Sequence, residues 1–127
     1  MARWEYYNPS PDGRNVGDCS IRAISKALDT DWETAYAMAA MTGFSMNDMP
    51  SSNSVIGAVL RQHGFKRYAV PDECPDCYTI EDFADENPQG LYVVGTGNHV
   101  VCIVDGTVYD SWNSLQERPQ FYWHRKG

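Results

Sequence analysis

Cys19, His99 and Asp110 are the residues whose types and places in the chain could do chemistry together. Cys19 lies in Asn15-Val16-Gly17-Asp18-Cys19-Ser20-Ile21-Arg22-Ala23, where the spacing predicts the start of a helix. A cysteine there meets unpaired backbone amides and the positive end of the helix dipole, which favour the thiolate. The thiolate is the nucleophilic form of the side chain. His99 opens a strand candidate in Gly97-Asn98-His99-Val100-Val101, and Asp110 closes the next one in Val108-Tyr109-Asp110-Ser111-Trp112. Between them Asp105-Gly106 is a hairpin signal. With that turn Val104 faces Thr107, and His99 falls near the level of Ser111 and Trp112. Asp110 is then one residue from that level, so a bulge or the strand twist must aim its carboxylate at the imidazole. An acid so placed fixes the imidazole tautomer and supports the imidazolium.

The elements that must hold these residues read as helices first and strands second. Residues 1–18 carry Pro9, Pro11, Gly13 and Gly17 and are expected to be an irregular entry segment. The first helix is expected to run to about Leu28, with Asp18 as N-cap and Ile21, Ile24 and Leu28 on one face. Thr30-Asp31-Trp32-Glu33 fits a capping box for a second helix, from Trp32 to about Met41, that stops before Gly43. A third helix is expected from about Ser54 to His63, with Val55, Ile56, Val59 and Leu60 inward and Gly64 as its stop. Strands follow over 65–70, 90–95, 99–104, 107–109 and 120–123, with a short helix starting at Thr79. This order argues for an α+β fold, in which an N-terminal part of about three helices packs on a small antiparallel β-sheet. There is no internal repeat, and the chain reads as a single domain over 1–127.

The three residues and their neighbours resemble the papain-like cysteine peptidase superfamily, including its small bacterial and phage branches. The family order is a Cys on a helix N-terminus, then His, then Asn or Asp on a following strand. Cys19, His99 and Asp110 match it in order. Asp110-Ser111-Trp112 matches the family's third residue followed by Ser-Trp, with Asp in place of Asn. The resemblance gives Trp112 the task of shielding the His–acid pair from water. Asp18-Cys19 is similar to the leader-peptidase branch, which makes Asp18 a site-supporting residue. The family's Gln six residues before the nucleophile is missing, since position 13 is glycine. Asn15 is the alternative amide donor for an oxyanion hole, with the Cys19 backbone amide as the second. The resemblance implies a thiol hydrolase that cleaves a peptide, isopeptide or other amide bond through a thioester. It needs no cofactor or metal. The competing reading is a catalytically idle member of the fold that works as a protein-binding module or inhibitor.

Composition narrows the setting. The chain has 127 residues, of which 43% are hydrophobic and 13% aromatic, so a packed core is expected and disorder is not. Lys plus Arg number 10 against 17 Asp plus Glu, a net charge of -7. That balance disfavours a nucleic-acid surface, which needs clustered cations, and suits a peptide, protein or basic partner. No apolar run is long enough to cross a membrane, and the first residues do not read as a secretion signal, so a cytoplasmic location with free thiols is expected. Cys74 and Cys77 form a C-x-x-C in a loop rich in Pro and Asp, without the second ligand pair of a structural zinc site. They and Cys102 are expected to be ordinary cysteines. His63 is expected to serve a helix C-terminus and His124 to be solvated in a basic tail. Met38, Met41, Met46 and Met49 around Phe44 are expected to fill the core.

Overall fold

The computed structural model describes residues 2–14, 16–70 and 78–125. Asn15, Cys74 and Cys77, singled out in the sequence, lie outside the described residues. The fold is α+β, with four helices and a six-stranded mixed sheet among the described residues. The elements run β1 (Arg3–Tyr6), α1 (Cys19–Leu28), α2 (Trp32–Met46), α3 (Asn53–Gln62), β2 (Lys66–Ala69), α4 (Ile80–Glu86), β3 (Leu91–Gly95), β4 (Val100–Val104), β5 (Thr107–Asp110) and β6 (Phe121–Arg125). The sheet order is β1-β5-β4-β3-β6-β2.

The sheet is not purely antiparallel as expected, because β1 pairs parallel with β5. This strand falls in the segment read as irregular. Its Pro and Gly punctuation begins only after Tyr6, and its partner lies at the far end of the chain. The remaining pairings are antiparallel, and Val104 faces Thr107 across the Asp105-Gly106 turn. Asp105 and Gly106 both take positive φ there, as a tight two-residue turn requires.

Both faces of the sheet are covered, which explains the unbroken apolar run of β4. Alternate side chains of a strand point to opposite faces. Val100 and Cys102 join Val93, Phe121 and Trp123 under α1 to α3. Val101 and Ile103 join Tyr92, Val94 and Val108 under α4. Ile24 of α1 and Val59 and Leu60 of α3 are fully buried in the first layer. Each such side chain contributes about 1.5–3 kcal/mol by leaving water.

The helices deviate from expectation at their ends. Three of the four precede β2, and the fourth, α4, covers the opposite face. Asp31, not Thr30, caps α2: its side chain accepts from the Thr34 amide at 2.8 Å. The two residues are neighbours with equal capping chemistry, and Thr30 is engaged through its carbonyl by Ser25 Oγ at 2.6 Å. α2 also runs on to Met46 instead of stopping before Gly43. Gly43 serves close packing, since a Cβ there would lie 2.8 Å from the Asp48 carbonyl oxygen. The stop is Asn47, in the left-handed conformation at φ 57°. α2 buries only Ala35, Ala39 and Gly43, a narrow stripe of small residues one turn apart. Met41, Phe44, Met46 and Met49 are exposed and do not fill the core. His124 is no part of a solvated tail either. It lies half-buried in β6, its Nδ1 is 3.0 Å from the Leu91 carbonyl oxygen, and it stacks on Tyr92. No helix among the described residues is long and apolar enough to cross a membrane.

Candidate active site

Cys19 is the first residue of α1, so its own backbone amide and those of the next residues have no intrahelical acceptor. Asp18 stands at the N-cap position but makes no side-chain capping bond, contrary to the sequence expectation. Its carboxylate turns instead to Arg22, one turn on, and accepts from the Trp32 indole N–H at 2.9 Å. The half-buried thiol of Cys19 faces the His99 ring and the Val100 amide across the cleft they share. Burial alone would raise this thiol. The bonds from His99 and Val100, with the positive charges of His99 and Arg22, outweigh burial and hold it below the usual value.

His99 stands immediately before β4. The turn from β3 fixes its backbone, because the Thr96 amide donates to the His99 carbonyl at 2.8 Å. Nε2 lies 2.6 Å from Asp110 Oδ2, which leaves Nδ1 as the nitrogen for the thiol. Burial would lower the imidazole. The hydrogen bonds and charges of Asp110 and Cys19 overcome it and push His99 up to about 9. Trp112 lies against the ring, with centroids 4.9 Å apart, and is itself partly open to solvent.

Asp110 ends β5 and is 1% exposed. Its Oδ1 accepts from Arg22 Nη2 at 3.0 Å and from the Ser111 amide at 2.7 Å. Its Oδ2 accepts from Ser114 Oγ at 2.7 Å and contacts His99. Its backbone carbonyl accepts from the Tyr7 amide at 2.8 Å, which ties the end of β5 to the chain just after β1. Burial raises the carboxyl, but the bonds from His99, Ser114 and Ser111 prevail and hold it below the usual carboxylate range. With both oxygens saturated, the group is held in one orientation and cannot swing away from the ring.

Cys19 and His99 border a cleft of about 370 Å³. Its walls come from three places: Gly17 and Ser20 at the head of α1, Ser51 to Asn53 at the head of α3, and Gly97 and Asn98 in the β3–β4 turn. Among the described residues, Cys19 and His99 are the titratable side chains that line it. Cys102 makes the contrast. It is fully buried in the core, and burial pushes its thiol up to about 12. His63 bonds the Val59 carbonyl on its own helix, at 2.9 Å, and takes no part.

Cys19, His99, Asp110, Asp18 and Trp112 thus come together. Sequence reasoning missed the contact of Arg22 to Asp110. It also missed Ser114, four residues beyond the acid, and the cleft wall at the head of α3. The Arg22 contact and the cleft wall depend on partners distant in sequence, and Ser114 meets Asp110 through the turn that follows β5. A scan of protein-family models finds no match to the chain, and no curated protein and no solved structure matches it.

Proposed function

We propose that this protein is a thiol hydrolase of papain-like type, cleaving a peptide, isopeptide or other amide bond with Cys19 as nucleophile. The observation that carries the reading is the His99–Asp110 hydrogen bond, with the Cys19 thiol on the other side of the same imidazole, both bordering one cleft. The thiolate attacks the substrate carbonyl carbon and forms a C–S bond, while the carbonyl electron pair moves onto oxygen. The Cys19 backbone amide, free of intrahelical bonding, is a donor for that oxyanion. Protonated His99 gives its proton to the leaving nitrogen as the C–N bond breaks, which leaves a thioester and a neutral imidazole. The imidazole then takes a proton from water, whose oxygen displaces the sulfur and regenerates the thiolate. Asp110 keeps its charge throughout and stabilises the imidazolium. Trp112, against the ring, limits the access of water to the His99–Asp110 bond. A polypeptide substrate and a cytoplasmic setting, in a bacterial or phage source, complete the reading.

The test is to trap the thioester. Incubation with a mixed pool of peptide amides, acid quenching and intact mass measurement should show acyl adducts on Cys19. Hydroxylamine should remove them, and Cys19→Ala should not form them. Alkylation of native Cys19 by iodoacetamide at pH 6.5 no faster than that of the unfolded chain would defeat the proposal. An idle fold that binds a protein is the second reading, favoured by the exposed Met41, Phe44 and Met49. It predicts no adduct in the same experiment.

A further inference from the structure

Arg22 lies on α1 one turn after Asp18 and is 5% exposed. An arginine so deeply buried needs partners for its charge. It has two, both carboxylates and both almost fully buried. Nη1 pairs with Asp18, and Nη2 lies 3.0 Å from Asp110 Oδ1. Asp18 is in turn anchored to α2 by the Trp32 indole at 2.9 Å. On the other side Asp110 meets His99 at 2.6 Å, and His99 meets the thiol. The signs therefore alternate along one line that leads to the Cys19 thiol: Asp18 negative, Arg22 positive, Asp110 negative, His99 positive.

This line offers a physical account of why a charged acid is tolerated at position 110. A fully buried carboxylate facing only an imidazole would depend on that imidazole for neutralisation and would be free to turn about its own bond. Arg22 compensates the charge from the other oxygen, and its planar fork fixes the plane of the carboxylate. The groups facing Asp110 are Arg22 from α1, His99 from the head of β4, and Ser111 and Ser114 from the segment after β5. Asp18 faces Arg22 from the α1 N-terminus, and α2 adds the Trp32 indole. We propose that Arg22 is a positioning residue that holds the Asp110 carboxylate in register with His99 and, through it, His99 in register with the Cys19 thiol. The proposal rests on the reading of Cys19 as nucleophile.

The experiment follows Cys19 alkylation by iodoacetamide in the full chain from pH 4 to 10, with folding checked by circular dichroism. In Arg22→Met the midpoint of thiolate formation should move up by about one pH unit, so labelling one unit below the wild-type midpoint should slow about tenfold. Arg22→Lys keeps the charge but cannot bridge two carboxylates, and should recover less than half of the shift. In an Asp110→Asn background, where Arg22 has no carboxylate beside His99 left to hold, Arg22→Met should change the rate less than twofold. Adding Asp18→Asn to both arms removes the carboxylate that Arg22→Met would leave buried and unpaired, and covers the case in which Arg22→Met alone fails to fold. A folded Arg22→Met with the wild-type midpoint, or an equal effect of Arg22→Met in both backgrounds, would overturn the proposal while leaving the hydrolase reading intact. A wild-type Cys19 that titrates as an ordinary thiol would overturn both.

Discussion

His99 Nε2 lies 2.6 Å from Asp110 Oδ2, although His99 precedes β4, Asp110 ends β5, and the Asp105-Gly106 turn between the two strands brings them level. The consequence is a ring with one nitrogen spoken for and one free. Asp110→Asn keeps the shape and removes the charge that holds His99 up at about 9. The expected outcome is an alkaline limit of the Cys19 reaction that falls from near 9 toward the ordinary histidine value of about 6.5. A pH profile of alkylation or turnover, wild type against variant, reads the shift directly.

The two described cysteines should separate by chemistry. Cys19 carries a lowered thiol value and borders the cleft, whereas Cys102 is sealed in the core with a value near 12. At pH 7, iodoacetamide should modify Cys19 within minutes and leave Cys102 unmodified until the chain unfolds. Peptide mass spectrometry of native and urea-treated samples checks both halves. Comparable native labelling of the two would contradict the assigned environments.

Acid should act on stability through Asp110. Its folded value lies below the unfolded one, so its contribution is fully present above about pH 4 and is lost as pH falls through the folded value. The urea midpoint of the wild type should therefore drop on going from pH 5 to pH 2.5. In Asp110→Asn, that part of the drop should vanish.

A fourth expectation concerns the wall of the site. Gly95 ends β3, just before the turn that carries His99, and a Cβ there would lie 2.3 Å from the Phe121 ring. Gly95→Ala should destabilise the fold by about 1–3 kcal/mol through overpacking. Phe121→Ala should relieve the clash, so the double variant should lose less than the sum of the two single losses. Urea denaturation of the four proteins gives the coupling.

The parts of the fold legible in the sequence are those set by near neighbours. Ile21 and Ile24 mark α1, Val55, Ile56, Val59 and Leu60 mark α3, and Asp105-Gly106 sets the hairpin that brings Asp110 to His99. The illegible parts depend on distant or degenerate choices. Arg3–Tyr6 is a strand only because Thr107–Asp110 lies beside it. Thr30 and Asp31 both suit a cap, and tertiary packing selects the second. Gly43 carries the residue type of a helix stop but serves as a contact surface instead. At the site, the grouping of Cys19, His99 and Asp110 follows from residue type and order. Their support does not, because Arg22 reaches Asp110 and Ser51 to Asn53 face Cys19 only after the helices have docked on the sheet.

The pairing of β1 with β5 also has a bearing on timing. Cys19 is synthesised before His99, Asp110 and the segment through Ser114, and the Tyr7 amide waits for the Asp110 carbonyl. Chains emerge from the ribosome N-terminus first. A nascent chain that ends before Asp110 therefore has only the head of α1 acting on the thiol. Joining β1 to β5 and completing the His99–Asp110 pair beside Cys19 both wait for the same segment of chain.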